Sequence, residues 1–216
     1  MNIAILLYDR FTALDAIGPY EVLSRLPGAQ VTFAAAARGP VTCDTGMLSL
    51  IAAAAIAEVR HPDIVLVPGG PGQEEQLADG PVHEWLRAAD VTSSWTTSVC
   101  TGSLILAAAG LLEGRQATSH WLALPRLAAY GAKPVSRRVV MDGKYITAAG
   151  VSAGIDMGLD LAGRIGGRTV AESIQLMLEY DPQPPYGAGS PQKAPADLVM
   201  RLRAGSRHSA AGRAAG

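Results

Sequence analysis

Cys100, Asp15 and His120 are the side chains of this sequence whose types and settings can do chemistry. Cys100 lies in Val99-Cys100-Thr101-Gly102-Ser103, between a short β-like run and a helix-like apolar stretch over residues 102–112. A nucleophile elbow has this form: a sharp strand-to-helix turn with small neighbours, so that substrate and backbone can approach. The start of the following helix offers free N–H groups and a positive dipole end, which favour thiolate. A generic cysteine is more often a small buried hydrophobe. The position at the carboxyl end of a central parallel strand, where ligand crevices open, favours the nucleophile here. Asp15, in ALDAIGPYEVL, follows the first strand. Helix-start carboxylates are common for dipole reasons alone. One on the first β–α connection can also reach the crevice, hydrogen-bond the thiol and move a proton.

Gly69-Gly70 closes a second strong strand, residues 64–67, and should reach the same sheet edge. The N–H of Gly70 can pair with that of Thr101 to stabilise a developing negative charge; an ordinary strand-ending turn explains the two glycines equally well. His120, twenty residues after Cys100 in TSHW, can be a thiol-activating partner or a structural histidine, and both readings stay open. The residue directly after Cys100 is Thr101 and not His, which disfavours a protease- or amidase-type dyad. Cys43 sits among turn residues and reads as structural. Glu21 reads as a solvated surface group. His61 and His83 stand beside prolines without metal-ligand spacing, so no metal is expected. No P-loop or dinucleotide fingerprint supports a nucleotide cofactor.

These residues must be positioned by alternating strands and helices. Strand-like runs at 3–7, 31–36, 64–67 and 116–118 alternate with helix-like stretches at 14–26, 80–89, 102–112, 150–166 and 169–178. Residues 139–141 and 145–147 form a hairpin through Asp142-Gly143, a strong turn signal. The pattern predicts a three-layer α/β/α sandwich around a mostly parallel, doubly wound, flavodoxin-like sheet carrying the elbow. Residues 1–202 read as one domain, with a Pro/Gly-rich arm at 181–195, a short helix near 196–202 and a flexible tail over 203–216. Of the 216 residues, 49% are hydrophobic and the net charge is −1, so no global field recruits nucleic acid or a membrane surface. The first residues lack the layout of a secretory signal, and no run is long and apolar enough for a membrane span. Two unrelated cysteines suit reduced thiols, and hence the cytoplasm, better than a disulfide.

ALDAIGPYEVL, VPGGPG, TTSVCTGSLILAAAGLLEGRQATSHW and LEYDPQPPYGAGSP together resemble the ThiJ/PfpI superfamily, with its class I glutamine amidotransferase-like fold. Within it, the sequence is most similar to the isocyanide (isonitrile) hydratases, over residues 2–202. The resemblance implies that Cys100 is the nucleophile, Asp15 the carboxyl that contacts it and Thr101 the hydroxyl residue beside it. It also implies a homodimer, no cofactor, and conversion of R–N≡C plus water to an N-substituted formamide. Gly69, His120 and Val151 are the candidate lining of the substrate pocket. Because isocyanides carry no net charge, that pocket should be mainly apolar and need no Arg clamp. Related transcription regulators append a helix-turn-helix domain, which is not expected here. The competing classes are a redox-sensing or protective cysteine protein and a glyoxalase-type enzyme of the same superfamily.

Overall fold

The computed structural model describes residues 1–208. In chain order the elements are β1 (Asn2–Leu6), α1 (Ala13–Leu23), β2 (Gln30–Ala35), β3 (Gly39–Thr42), β4 (Ser49–Ala52), β5 (Ala54–Ala55) and β6 (Ile64–Val67). Then follow α2 (Pro81–Thr92), β7 (Trp95–Val99), α3 (Gly102–Ala108), β8 (Gln116–Ala117), β9 (Lys133–Pro134), β10 (Val139–Asp142) and β11 (Tyr145–Ala148). Helices α4 (Ala153–Gly166), α5 (Arg168–Met177) and α6 (Ala196–Ala204) complete the series. Seven strands form one sheet in the order β10-β11-β7-β6-β1-β2-β5. Every neighbouring pair in it is parallel except β10–β11. The protein is therefore an α/β sandwich of the flavodoxin-like type.

The central strands are apolar because both faces of the sheet are covered. Ile64, Val65, Leu66 and Val67 of β6 are all buried, as a parallel strand between two helical layers requires. Helices α1, α4 and α5 pack together on one side, and α2 and α3 on the other. β7 is unusual: its Thr96, Thr97 and Ser98 are buried polar residues. The Thr97 hydroxyl donates to the Val65 carbonyl at 2.9 Å, which ties β7 to β6 just below the site. Val67 pairs with Ser98, and Ala148 with Val99, so β6, β7 and β11 end at one edge.

Several boundaries differ from the sequence reading, each for a local reason. The helix read over 102–112 stops at Ala108, because Gly110 takes a left-handed φ of 85° and ends it. The strand read at 116–118 is the two-residue β8, paired with β9 outside the main sheet. Residues 39–52 form a β3–β4 hairpin that was not anticipated, and Leu124–Tyr130 forms a 3-10 helix. The Asp142-Gly143 hairpin forms as read, with Gly143 at φ 63°. The arm at 181–195 has no regular secondary structure and leads into α6, which continues to Ala204. Within the stretch read as a flexible tail, Ser206 is buried, and Arg207 and His208 are partly so. The remainder of that tail, 209–216, lies outside the described residues.

Candidate active site

Cys100 follows β7 directly and holds a left-handed φ of 58°, a conformation that costs a non-glycine residue roughly 1 kcal/mol or more. The surrounding bonds over-determine it. Its N–H donates to the Ala148 and Ala149 carbonyls at 3.0 and 2.8 Å, and its carbonyl accepts from the Ser103 and Ser119 hydroxyls at 3.1 and 3.0 Å. Gly102 allows the turn to press against β6: a Cβ there would stand 2.1 Å from the Val67 carbonyl oxygen.

Gly69 fills an equally tight place, since its Cβ would lie 2.5 Å from the Thr101 nitrogen and 2.9 Å from Asp15 Oδ2. Its N–H donates to that Asp15 oxygen at 2.9 Å. The N–H of Gly70 donates to Thr101 Oγ1 at 3.0 Å. The Gly70 N–H, read as an anion-stabilising donor, is engaged by that hydroxyl. The Thr101 hydroxyl is likewise bonded to Gly70 and not to Asp15. The backbone N–H groups of Thr101 and Val151 are the ones that favour a negative sulfur. Val151, read only as pocket lining, thus supplies a donor, placed by the turn between β11 and α4.

Asp15, in the first turn of α1, is fully buried. Its Oδ1 has no hydrogen-bond partner among the described residues. Burial pushes the carboxyl up to about 7, against the Gly69 bond and the interaction with the Cys100 side chain, which pull it down. Cys100 is only 6% exposed. Burial first, and the Asp15 charge second, push its thiol far above the usual range, outweighing the N–H groups of Thr101 and Val151. The helix dipole, from which a thiolate was expected, is short-ranged here because α3 has only seven residues, and desolvation works against the charged sulfur. The buried Tyr8 hydroxyl donates to the Pro68 carbonyl at 2.8 Å, and its own ionisation is opposed by burial, Asp15 and Cys100.

A cavity of about 260 Å³ opens over the sulfur, walled by Gly70, Thr101, His120 and Val151 among others. His120 and Val151 also line an adjoining cavity of about 390 Å³ beneath the arm. Gly69, read as pocket lining, lies behind Thr101 and lines neither. His120 packs on Gly150 and makes no hydrogen bond to the sulfur. Burial and the nearby Arg207 hold it below its usual range, so it is a neutral wall group. The remaining wall comes from Leu122, Ser206, Arg207 and His208. The Arg207 guanidinium donates to the Gly70 carbonyl at 3.1 Å, contrary to the expectation of a pocket without an Arg. Among the described residues, no cluster of three or more His, Cys, Asp or Glu is placed to hold a metal.

Comparison with known proteins supplies context for this geometry. A family model described as the DJ-1/PfpI family matches residues 1–164. An isonitrile hydratase of Pseudomonas putida is 41% identical over 203 residues, covering 94% of this chain and 89% of that protein. A glutathione-independent glyoxalase of Caenorhabditis elegans is 30% identical over 140 residues, 63% of this chain and 73% of that protein. The crystal structure of a ThiJ/PfpI family protein from Pseudomonas syringae superposes with a TM-score of 0.91 at 40% identity, covering 94% of this chain and 84% of that one. DJ-1beta of Drosophila melanogaster shares the fold at a TM-score of 0.74 and 23% identity, over 82% and 97% of the two chains.

Proposed function

The chain belongs to the DJ-1/PfpI family, and from that footing we propose that it is an isocyanide hydratase, converting R–N≡C and water to R–NH–CHO. The observation that carries the reading is the Asp15–Cys100 pair: a buried carboxyl and a buried thiol, side by side, with no histidine bonded to the sulfur. The P. putida relative, alike over nearly the whole chain, supports the choice of reaction.

The chemistry follows from the protonation states. Asp15 as carboxylate takes the Cys100 proton as the sulfur attacks the terminal isocyanide carbon, and a C–S bond forms. The N–H groups of Thr101 and Val151 favour the negative sulfur during attack. The same proton then passes from Asp15 to the former isocyanide carbon, giving the thioimidate S–CH=N–R. Water adds to that carbon while Asp15 takes one water proton and passes it to the nitrogen, giving S–CH(OH)–NH–R. Collapse of the tetrahedral adduct breaks the C–S bond, returns the proton to sulfur and releases the formamide. Atoms and charge balance with no other reactant.

A glyoxalase-type reading draws on the C. elegans relative, and consumption of methylglyoxal tests it. The burial of Cys100 favours the hydratase over a peroxide sensor, which needs an accessible thiolate. We place the enzyme in the cytoplasm on the strength of two unpaired cysteines, and no helix among the described residues is long and apolar enough to cross a membrane. A homodimer is proposed as well: Met47 and Ile51 on the β3–β4 hairpin, and Leu176 and Met177 at the end of α5, are exposed apolar surface that a second copy would cover. The deciding experiment is a hydration assay on a small panel of isocyanides, with formamide detected directly and Cys100→Ala as control. Absence of formamide with every member would remove the reading.

A further inference from the structure

The wall of the Cys100 cavity carries a cation that hydration of a neutral isocyanide does not need. Arg207 reaches it from beyond α6 and is partly buried there, and among the described residues its guanidinium makes one hydrogen bond, to the Gly70 carbonyl at 3.1 Å. Its Nε is buried with no partner, and no carboxylate lies within ion-pair distance among the described residues. Glu74, the acidic residue nearest in the chain to this wall, is taken by Arg126 through both of its oxygens. Arg126 also contacts His208 Nδ1 at 3.0 Å, so the Glu74–Arg126 pair buttresses the segment without neutralising Arg207. An arginine has five N–H donors in a planar fork, and a half-buried one that uses a single donor leaves the others for a ligand.

The other groups facing the cavity do not share this charge. His120 is held below its usual range by burial and by Arg207, and His208 is pushed down to about 4 by burial, Arg207 and Arg126. Both rings are neutral near pH 7. Arg207 is the one fixed cation on this wall among the described residues. It is also tied to the chemistry by backbone. The Gly70 carbonyl that accepts from Arg207 belongs to the residue whose N–H holds Thr101 Oγ1 at 3.0 Å, directly after the nucleophile. An anion seated on the guanidinium would lie in the cavity that Cys100 also lines.

We propose that Arg207 is a specificity-determining residue that clamps an anionic group, a carboxylate, on the substrate whose reactive carbon is presented to Cys100. The proposal rests on the hydratase reading for the reactive group, and the preferred substrates are then isocyano acids over neutral isocyanides. Arg207 does not act on the bond being formed. It orients the substrate by bidentate, charge-assisted hydrogen bonds at the far end of the molecule.

The test separates the clamp from the reaction. In the full chain, Cys100 is alkylated by iodoacetate, which carries a carboxylate, and by iodoacetamide, its neutral counterpart. The ratio of the two rates is normalised to that of free cysteine, and Cys100→Ala reports any background at Cys43. The expected ratio favours iodoacetate by ~10-fold, the scale of a charge-assisted contact. It falls toward one in Arg207→Gln and is largely kept in Arg207→Lys. A wild-type ratio at or below one, or a ratio unmoved by Arg207→Gln, overturns the clamp. The second arm compares 4-isocyanobenzoate with phenyl isocyanide. The expected preference for the acid lies mainly in KM and is lost in Arg207→Gln. Turnover that favours the neutral compound overturns the specificity. If neither compound is hydrated, the hydratase reading falls, and the alkylation ratio still decides whether Arg207 holds a carboxylate.

Discussion

Asp15 makes the site unstable in the state that works. Its carboxyl titrates near 7 in the folded protein and near 4 when unfolded, so its ionisation opposes folding. The penalty is absent below about pH 4, grows as pH rises and is complete above about 7, on the order of 4 kcal/mol for a shift of this size. Asp15→Asn should therefore raise the melting temperature at pH 8 and leave it nearly unchanged at pH 4, as scanning calorimetry will show. The same substitution should lower kcat by ~100-fold or more, because the amide cannot shuttle the proton. In the wild type, kcat/KM should rise with pH through about 7 as the carboxylate form appears, and this rise should be missing from residual activity in Asp15→Asn. Cys100→Ala should abolish turnover, and Cys43→Ala, with no site group near it, should not. Cys100 and Asp15 were readable from sequence because an elbow and a first β–α connection are local patterns with a fixed place on the sheet. The Val151 N–H and Arg207 were not. A backbone donor has no residue signature, and Arg207 sits in a small-residue, Arg-dotted stretch whose composition says only that it is polar.

At the scale of elements, the elbow depends on how closely α3 begins against β6. Gly102→Ala puts a methyl group into the Val67 carbonyl, and Gly69→Ala one into Thr101 and Asp15. In each case the nearest atom, the Val67 carbonyl oxygen or the Thr101 nitrogen, is backbone and cannot give way cheaply. Both variants should lose ~3 kcal/mol or more in denaturant unfolding, the upper end for overpacking in a tight interior. Gly110→Ala should lengthen α3 only by straining the left-handed turn, and a loss of ~1 kcal/mol is expected. Legibility followed the strength of local signals. The apolar β6 and the Asp142-Gly143 turn announced themselves. The β3–β4 hairpin did not, because Pro40 and the alanines around β5 blur any alternation. The end of α3 was overrun because Leu111 and Leu112 continue the apolar run past Gly110.

At the scale of the whole molecule, light scattering at micromolar concentration should give twice the mass of the chain; a single-chain mass would remove the proposed dimer. Ending the chain after Gly205 should raise the rate at which a bulky neutral maleimide labels Cys100, since Ser206, Arg207 and His208 wall its cavity. The strand order carries a consequence for biosynthesis. β1 lies between β2 and β6 in the middle of the sheet, and β7 must join β6 before Cys100 acquires its turn. During translation the first strand therefore waits for more than half a hundred further residues before both its edges are paired, and contacts this distant in sequence form slowly. The nascent thiol then emerges well before residues 206–208 can wall it in. A ribosome-bound chain halted near residue 190 should thus be open to thiol reagents that the finished protein resists, so the interval before release is when this protein is most exposed to chemical damage.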